Sequence, residues 1–277
     1  MTDSQQIINL LDAYVQSFYA ESEPSVTVLR KQLEEIAPKH IDLFIQILQN
    51  PTANPDHRFG AAHVLGWTGD SRAFAPLVAA LSDSDIRPQT AAVTGLSELG
   101  DPRAIEPLTK MLTSDSKFSR ISAADALGHF KDPTVVESLI QALQDEDAVV
   151  VVCAADSLGR IGDSRAIDPL IHALFNSKGE RNSAVVKALA TIGDARAVEP
   201  LIAALTDKLY LNRKYAIYGL AHIGDRRAID PVTKMLSDRD SEVRKAAHYA
   251  LTKFSSQTNL ITRGWLVIES LWHKLSK

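Results

Sequence analysis

The sequence has a single cysteine, Cys153, among 277 residues, which excludes an internal disulfide and a multi-cysteine metal site. It contains no run of 18 apolar residues, so we expect no membrane span. The net charge of −4 argues against a protein dedicated to nucleic acid, because such proteins usually carry a strongly basic surface. The first residues lack the basic and then apolar pattern of a signal peptide. Together these absences predict a cytoplasmic protein.

Motifs for common chemistries are also missing. The sequence has neither a glycine-rich phosphate loop nor the nucleophile elbow of serine hydrolases. His57 and His63 are six residues apart and would not share a helix face, and no histidine–carboxylate spacing resembles a zinc site. We therefore predict no metal and no permanently bound cofactor. The residues leave open whether the chain is an enzyme.

A repeat of 31 residues dominates what is present. It is clearest in six aspartates at this unbroken spacing, namely Asp70, Asp101, Asp132, Asp163, Asp194 and Asp225. Glycine precedes five of them and arginine follows five of them two residues later, while the third turn has Lys131 in place of glycine. A unit repeated in tandem cannot bury its apolar face alone and must stack on its neighbours. The spacing predicts an all-α fold, an α-solenoid of helical hairpins.

Each repeat has the sequence signals of a helical hairpin. In a representative turn, Gly162 suits the left-handed end of one helix, and Asp163 suits the cap of the next. The second helices align an alanine column, for example Ala154, with a leucine column four residues later, which indicates one buried face. The valine-rich segment at residues 149–152 alone is typical of a strand. Its phase in the repeat predicts a helix instead.

The repeat divides the chain into three predicted parts. Residues 1–54 are expected to form a cap of three irregular helices, at about 5–19, 26–36 and 41–48. Residues 55–254 are expected to form one solenoid of HEAT-like repeats, and residues 255–277 a capping helix. A helix that docks onto a partner is the alternative for this last segment.

Two passages carry a family resemblance, residues 154–163 (AADSLGRIGD) and residues 221–231 (AHIGDRRAIDP). Over about residues 55–254 the sequence resembles the HEAT-like repeat of phycobilisome lyases. The resemblance implies a phycobilin lyase of the E/F class, which attaches an open-chain tetrapyrrole such as phycocyanobilin to a cysteine of a phycobiliprotein subunit. Such lyases usually need a second HEAT-repeat subunit. It also implies a non-enzymatic alternative, a scaffold that binds a protein partner in phycobilisome turnover or iron–sulfur assembly.

Two residue columns on the second helices are expected to line the concave face of the solenoid, opposite the buried columns. At the centre, Asp125 and His129 share one helix face, and Asp156 and Arg160 share a face of the next helix. We predict that Asp125, Asp156 and His129 are catalytic. The carboxylates would accept hydrogen bonds from pyrrole N–H groups, and His129 would act as a general acid or base. Ordinary salt bridges between repeats are the alternative interpretation.

Further residues of the two columns are predicted to bind the pigment, and they are His63, Trp67, Arg160, Lys187, Tyr218, His222 and Tyr249. Arg160 and Lys187 would hold the propionates, and aromatic rings would stack on the pyrroles. Tyr218 and Tyr249 are equally typical of a protein-binding surface. The acceptor cysteine would come from the client protein. Cys153 lies beside the small-residue column, where we expect a buried thiol, with a reactive thiolate or transient bilin acceptor as the alternative.

Overall fold

The computed structural model describes residues 3–21, 25–176 and 180–258, and these are all-α, as predicted. The chain packs as two compact units, the first ending at Phe130 and the second beginning at Lys131. The α-helices of the first unit are α1 (Asp3–Tyr19), α2 (Ser25–Gln49), α3 (Pro55–Trp67), α4 (Phe74–Ala80), α5 (Ile86–Leu99), α6 (Ile105–Met111) and α7 (Lys117–Phe130). Those of the second are α8 (Val136–Ala142), α9 (Ala148–Ile161), α10 (Ile167–Asn176), α11 (Glu180–Ile192), α12 (Val198–Ala204), α13 (Tyr210–Ile223), α14 (Ile229–Lys234) and α15 (Ser241–Thr258).

The predicted cap is part of the first unit. Helix α2 has a non-helical residue at His40 (φ −124°, ψ 20°), shortly after Pro38, where proline removes a helix hydrogen bond. This break gives the three helical segments that the sequence predicts. The predicted domain bounds remain predictions, and the predicted carboxy-terminal helix lies almost wholly outside the described residues.

The repeat turns have the predicted caps. Left-handed glycines with φ of 65–77° lie at the ends of five second helices, at Gly69, Gly100, Gly162, Gly193 and Gly224. After the glycine, the aspartate caps the next element, as where Asp163 Oδ1 accepts a hydrogen bond of 2.9 Å from the amide of Arg165. The sequence did not predict that the capped element is a single 3₁₀ turn preceding the first α-helix. Lys131 takes the glycine position with φ of 51°, a conformation unfavourable for a residue with a Cβ.

Seven 3₁₀ turns are described, at Ser71–Ala73, Pro102–Ala104, Pro133–Val135, Ser164–Ala166, Ala195–Ala197, Arg226–Ala228 and Met235–Ser237. The first six each follow a capping aspartate, and the last closes the short helix α14. In each repeat the first helix therefore begins directly after a capped turn. These first helices are α4, α6, α8, α10, α12 and α14.

The core is the seam predicted from the alanine and leucine columns. Ala154 and Leu158 are fully buried, as are their counterparts in the other second helices. Each buried leucine contributes roughly 2 kcal/mol through burial of its side chain. Small residues allow close helix contact, since a Cβ on Gly66 would lie 2.5 Å from the Cα of Gly95. The valine-rich segment lies inside α9 as predicted, because these seam contacts outweigh its strand propensity.

Buried arginines join the turns of successive repeats. Arg58 donates two hydrogen bonds to Asp83, of 2.8 and 2.9 Å, and another to the carbonyl of Ala53. Arg213 donates likewise to Asp238, at 2.8 and 2.7 Å, and to the carbonyl of Asp207. Both guanidinium side chains are only 4% exposed. Such two-pronged, charge-assisted bonds fix the spacing of neighbouring turns.

Candidate functional site

In the first unit, α1 covers the face of α3 that the sequence predicts to be open to solvent. His63 is 8% exposed, and its ring lies 5.6 Å from that of Phe18 and 6.2 Å from that of Tyr14 on α1. The half-buried indole of Trp67 meets Tyr14 edge to face at 5.4 Å. These contacts are those of a packed aromatic cluster. The proposed roles of His63 and Trp67 in binding remain predictions.

Charged groups border this aromatic cluster. The guanidinium of Arg30 lies 4.5 Å from the Trp67 ring centre and 3.6 Å from the carboxylate of Glu98. Burial, together with the charge of Arg30, lowers the pKa of His63 to about 4. Burial also raises the pKa of Tyr14 to about 12. Both side chains are therefore neutral at pH 7, which suits a packing role.

Asp125 and His129 lie on α7, the last helix of the first unit. As predicted, they share one helix face, with His129 Nε2 3.8 Å from Asp125 Oδ2. Their side chains are more than half exposed. An exposed imidazole beside a carboxylate can exchange protons with a bound molecule, so the geometry is compatible with the predicted role.

Asp156 and Arg160 lie on α9 in the second unit. Asp156 Oδ1 is 2.9 Å from Lys187 Nζ on α11. Asp156, predicted to be catalytic, therefore forms an ion pair with Lys187, which is predicted to bind the propionates. Arg160 donates a 2.8 Å hydrogen bond to Ser157 Oγ of its own helix. The two predicted pairs thus belong to different units. Asp125 and His129 lie in the first unit, and Asp156 and Arg160 lie in the second.

The remaining predicted residues lie on α13 and α15. The rings of Tyr218 and Tyr249 meet edge to face at 6.1 Å, and the residues are 40% and 56% exposed. His222 is exposed as well, and its Nδ1 lies 3.2 Å from the carbonyl oxygen of Ala190 on α11. Contacts from α9 to α11, α11 to α13 and α13 to α15 bring these columns side by side. We call this surface the second-helix face, and it comprises Asp156, Arg160, Lys187, Tyr218, His222 and Tyr249.

Two neighbouring residues of this face were not predicted. Tyr210 and Lys214 precede Tyr218 and His222 on α13 at intervals of four, and so share their helix face. Tyr210 is 42% exposed, and Lys214 Nζ lies 3.4 Å from Glu242 Oε2 on α15. The interval of four is the signal that would have identified them.

The described part of the chain offers neither a metal cluster nor a membrane span. Within the described ranges, no group of three histidine, cysteine, aspartate or glutamate side chains is arranged to hold a metal ion. The helices described include none with the length and apolar character needed to cross a membrane. Cys153 is half-buried rather than fully buried.

Sequence families match most of the chain. HEAT repeats match residues 41–121, 117–185 and 198–261, which is more than half of the sequence. The PBS lyase HEAT-like repeat matches residues 183–207. The resemblance predicted from the sequence is therefore confirmed. No curated protein matches the chain by sequence.

Solved structures show the same fold. A chain in the complex of CpcE and CpcF of phycocyanin lyase from Nostoc sp. PCC7120 is 23% identical with a TM-score of 0.50, over 84% of this chain and 94% of that one. YibA of Escherichia coli is 17% identical with a TM-score of 0.64, over 92% and 97%. A chain in the structure of Kap95p with RanGDP is 11% identical with a TM-score of 0.59, over 90% and 39%. At these identities the likeness shows the fold alone.

Proposed function

The chain belongs to the HEAT-repeat family, and we propose that it handles an open-chain tetrapyrrole of the phycocyanobilin kind. The second-helix face would bind the pigment and present it to a cysteine of a phycobiliprotein subunit. The bilin is a substrate in this proposal, not a resident cofactor. The match to the PBS lyase HEAT-like repeat within the second unit supports the proposal.

The observation that carries the proposal is the exposed pair of Tyr218 and Tyr249 on α13 and α15, with Lys187 on α11, the helix that packs against α13. The tyrosine rings lie on the helix side opposite the buried alanine and leucine columns, so the solenoid does not need them for packing. A tetrapyrrole offers flat conjugated rings for aromatic contacts and carboxylates for Lys187 and Arg160. One surface therefore provides both kinds of contact.

Attachment of the pigment demands mainly orientation. Addition of a thiol across a carbon–carbon double bond of the bilin forms the C–S bond and transfers the thiol proton to the pigment, with no leaving group. Asp156 would accept a hydrogen bond from a pyrrole N–H, while its ion pair with Lys187 holds the Asp156 carboxylate in place. For Asp125 and His129, on α7 of the first unit, the catalytic role remains a prediction from the sequence.

A partner chain is part of the proposal. The similar phycocyanin-lyase structure is a complex of CpcE and CpcF, which supports a second HEAT-repeat subunit here. The client would be a phycobiliprotein subunit. A cytoplasmic location is proposed with this function.

An absorbance titration with phycocyanobilin tests the proposal. We expect a red-shifted bound spectrum with the wild-type chain, and affinity about tenfold or more lower in the Tyr218→Ala/Tyr249→Ala variant, since aromatic contacts contribute on the order of 1 kcal/mol each. Phe175→Ala is the matched control, because Phe175 is an exposed aromatic residue of α10, outside the second-helix face. Absence of any spectral change with the wild type, or equal binding by the double variant, would contradict the proposal.

A protein-binding scaffold is the second candidate function. It is favoured by the ridge of Tyr210, Lys214 and Tyr218, since tyrosine is enriched at protein interfaces. The Asp156–Lys187 ion pair also fits this function, because it can be structural. A phycobiliprotein subunit that binds equally well with and without bilin, and gains no covalent pigment, would favour the scaffold.

A further inference from the structure

A lysine and a tyrosine recur together on the last two second helices. Lys214 and Tyr218 are four residues apart on α13, and Lys245 and Tyr249 occupy the same repeat positions on α15. Residues at this interval share a helix face, and α13 packs against α15. We call these four residues the lysine–tyrosine quartet. The other second helices carry different pairs at these positions, namely Phe59 and His63, Thr90 and Thr94, Ile121 and Asp125, Val152 and Asp156, and Ser183 and Lys187.

Contacts between α13 and α15 hold the quartet together. Glu242 on α15 joins the two lysines, since its Oε2 lies 3.4 Å from Lys214 Nζ and its Oε1 lies 2.9 Å from Lys245 Nζ. The rings of Tyr218 and Tyr249 meet edge to face, with their centres 6.1 Å apart. Two ammonium groups are therefore drawn together one helical turn before two aromatic rings that also meet.

The lysines of the quartet carry more charge than Glu242 neutralises. Burial opposes the charge of Lys214, but its hydrogen bond to Glu242 outweighs burial and keeps the pKa of Lys214 above its ordinary value. Lys245 and then Lys214 hold the pKa of Glu242 below its ordinary value. Two ammonium groups and one carboxylate leave a single positive charge in excess. Lys187 and Asp156, by contrast, pair one cation with one anion. The surplus at the quartet attracts an anion.

The quartet is open to a ligand. The side chains of Lys245 and Glu242 are 65% and 45% exposed, and that of Lys214 is 24% exposed. Ion pairs between exposed groups contribute at most about 1 kcal/mol, so an incoming carboxylate can share the two ammonium groups with Glu242. Both tyrosine rings are exposed as well. One ligand can therefore contact the cations and the rings together.

We propose that the quartet binds a carboxylate carried by a flat conjugated ring system. The carboxylate accepts hydrogen bonds from Lys214 and Lys245, and the rings lie against Tyr218 and Tyr249. In the pigment this carboxylate is a propionate, and to that extent the inference rests on the proposed function. Glu242 limits the affinity, because its negative charge competes for the same ammonium groups. Lys187 and Arg160 remain for the other propionate.

A fluorescence titration with pyrenebutyrate and its methyl ester tests the quartet without the pigment. The two probes share the aromatic rings, and the ester lacks the charge. We expect the wild type to bind the acid at least about tenfold more tightly than the ester. The Lys214→Met/Lys245→Met variant should bind both probes equally, with its affinity for the ester unchanged. Lys234→Met is the matched control, because Lys234 is an exposed lysine of α14, and it should keep the preference.

Two results of this titration would overturn the proposal. The first is equal affinity of the wild type for the acid and the ester. The second is a preference for the acid that survives in the double lysine variant, since the charge would then be recognised elsewhere.

A gain of affinity is the sharper prediction. Glu242→Gln removes the competing carboxylate but keeps the shape of the side chain, so both lysines are left for the ligand. Its affinity for pyrenebutyrate should be about threefold or more higher than that of the wild type, and its affinity for the ester unchanged. If the lysines and Glu242 formed only a structural bridge, the substitution would give no gain. Unchanged or lower affinity for the acid would count against the proposal.

Phycocyanobilin and its dimethyl ester extend the test to the pigment. A preference for the free acid that the double lysine variant loses would assign a propionate to the quartet. Equal binding of the pigment and its ester would leave the proposed function standing and overturn the quartet as its propionate site. If neither binds, the proposed function fails, and the pyrene titration decides for or against the quartet by itself.

Discussion

The same repeat positions have opposite environments on α3 of the first unit and on α13 and α15 of the second. On α3 they hold His63 and Trp67, which α1 covers, so that His63 is only 8% exposed. In the second unit the first of these positions holds Tyr218 and Tyr249, which are 40% and 56% exposed. Repeat phase thus determines which side chains point away from the seam. An element outside the repeat determines which of them meet solvent.

This difference distinguishes aromatic residues that pack inside the protein from aromatic residues that are open to a bound molecule. The rings of Tyr14, Phe59 and His63 in the first unit are buried and contribute to folding. Tyr218 and Tyr249 of the second unit lie outside the core, where a ligand or partner can contact them. Three predictions test the separation.

The largest expected effect follows from removal of an aromatic residue of α1. Tyr14→Ala should lower the free energy of unfolding by about 4 kcal/mol, as large-to-small replacements of buried aromatic residues do, because Tyr14 is 2% exposed. Tyr249→Ala removes the same side chain from the exposed column and should change stability by less than about 0.5 kcal/mol. Urea denaturation followed by circular dichroism measures both. Similar losses in the two variants would remove the distinction between the units.

A smaller effect should appear in the pH dependence of stability. The pKa of His63 is about 4 in the folded chain, against an ordinary value of 6.5. The unfolded chain therefore takes up a proton that the folded chain does not, and stability is lost as the pH falls from about 6.5 to about 4. The loss amounts to about 3 kcal/mol.

The His63→Phe variant isolates this contribution. It retains an aromatic ring among Tyr14, Phe18 and Phe59 but cannot be protonated. Urea denaturation at pH 7 and pH 4.5 should show a clearly smaller acid-induced loss in the variant than in the wild type. Equal losses would mean that His63 is not held neutral by its burial.

The smallest stability effect is expected on the second-helix face. Lys187→Ala removes the ion pair with Asp156, whose side chains are 49% and 34% exposed, and should lower the free energy of unfolding by less than about 1 kcal/mol. The affinity of the Lys187→Ala variant for phycocyanobilin should be about tenfold lower than that of the wild type if Lys187 binds a propionate. A large stability loss with unchanged pigment affinity would make Lys187 a structural residue.

Local signals in the sequence predicted most of the fold. The capping aspartates, the left-handed glycines and the seam of Ala154 and Leu158 follow from helix geometry within one repeat, and all were confirmed. Even the valines of residues 149–152 were placed correctly, because their repeat phase was stronger evidence than their propensity. Such features depend on residues close in sequence.

Long-range packing was the part that the sequence did not predict. Helix α1 lies outside the 31-residue pattern, so no repeat phase indicated that Tyr14 and Phe18 would pack on His63. The division of the chain at Lys131 was not predicted either. Salt bridges between repeats were expected as an alternative, but the choice of Lys187 as the partner of Asp156 required knowledge of how neighbouring helices align. The helix positions of the candidate residues thus followed from the repeat, their contacts did not, and their roles remain predictions.

The proposed pigment-binding surface is the exposed column of the second unit. Hydroxyl-radical footprinting of the chain with and without phycocyanobilin tests it most directly. We expect strong protection of Tyr218 and Tyr249 by the bilin, with Phe175 oxidised equally in both samples. Unchanged oxidation of Tyr218 and Tyr249 under conditions where the bilin is bound would contradict it.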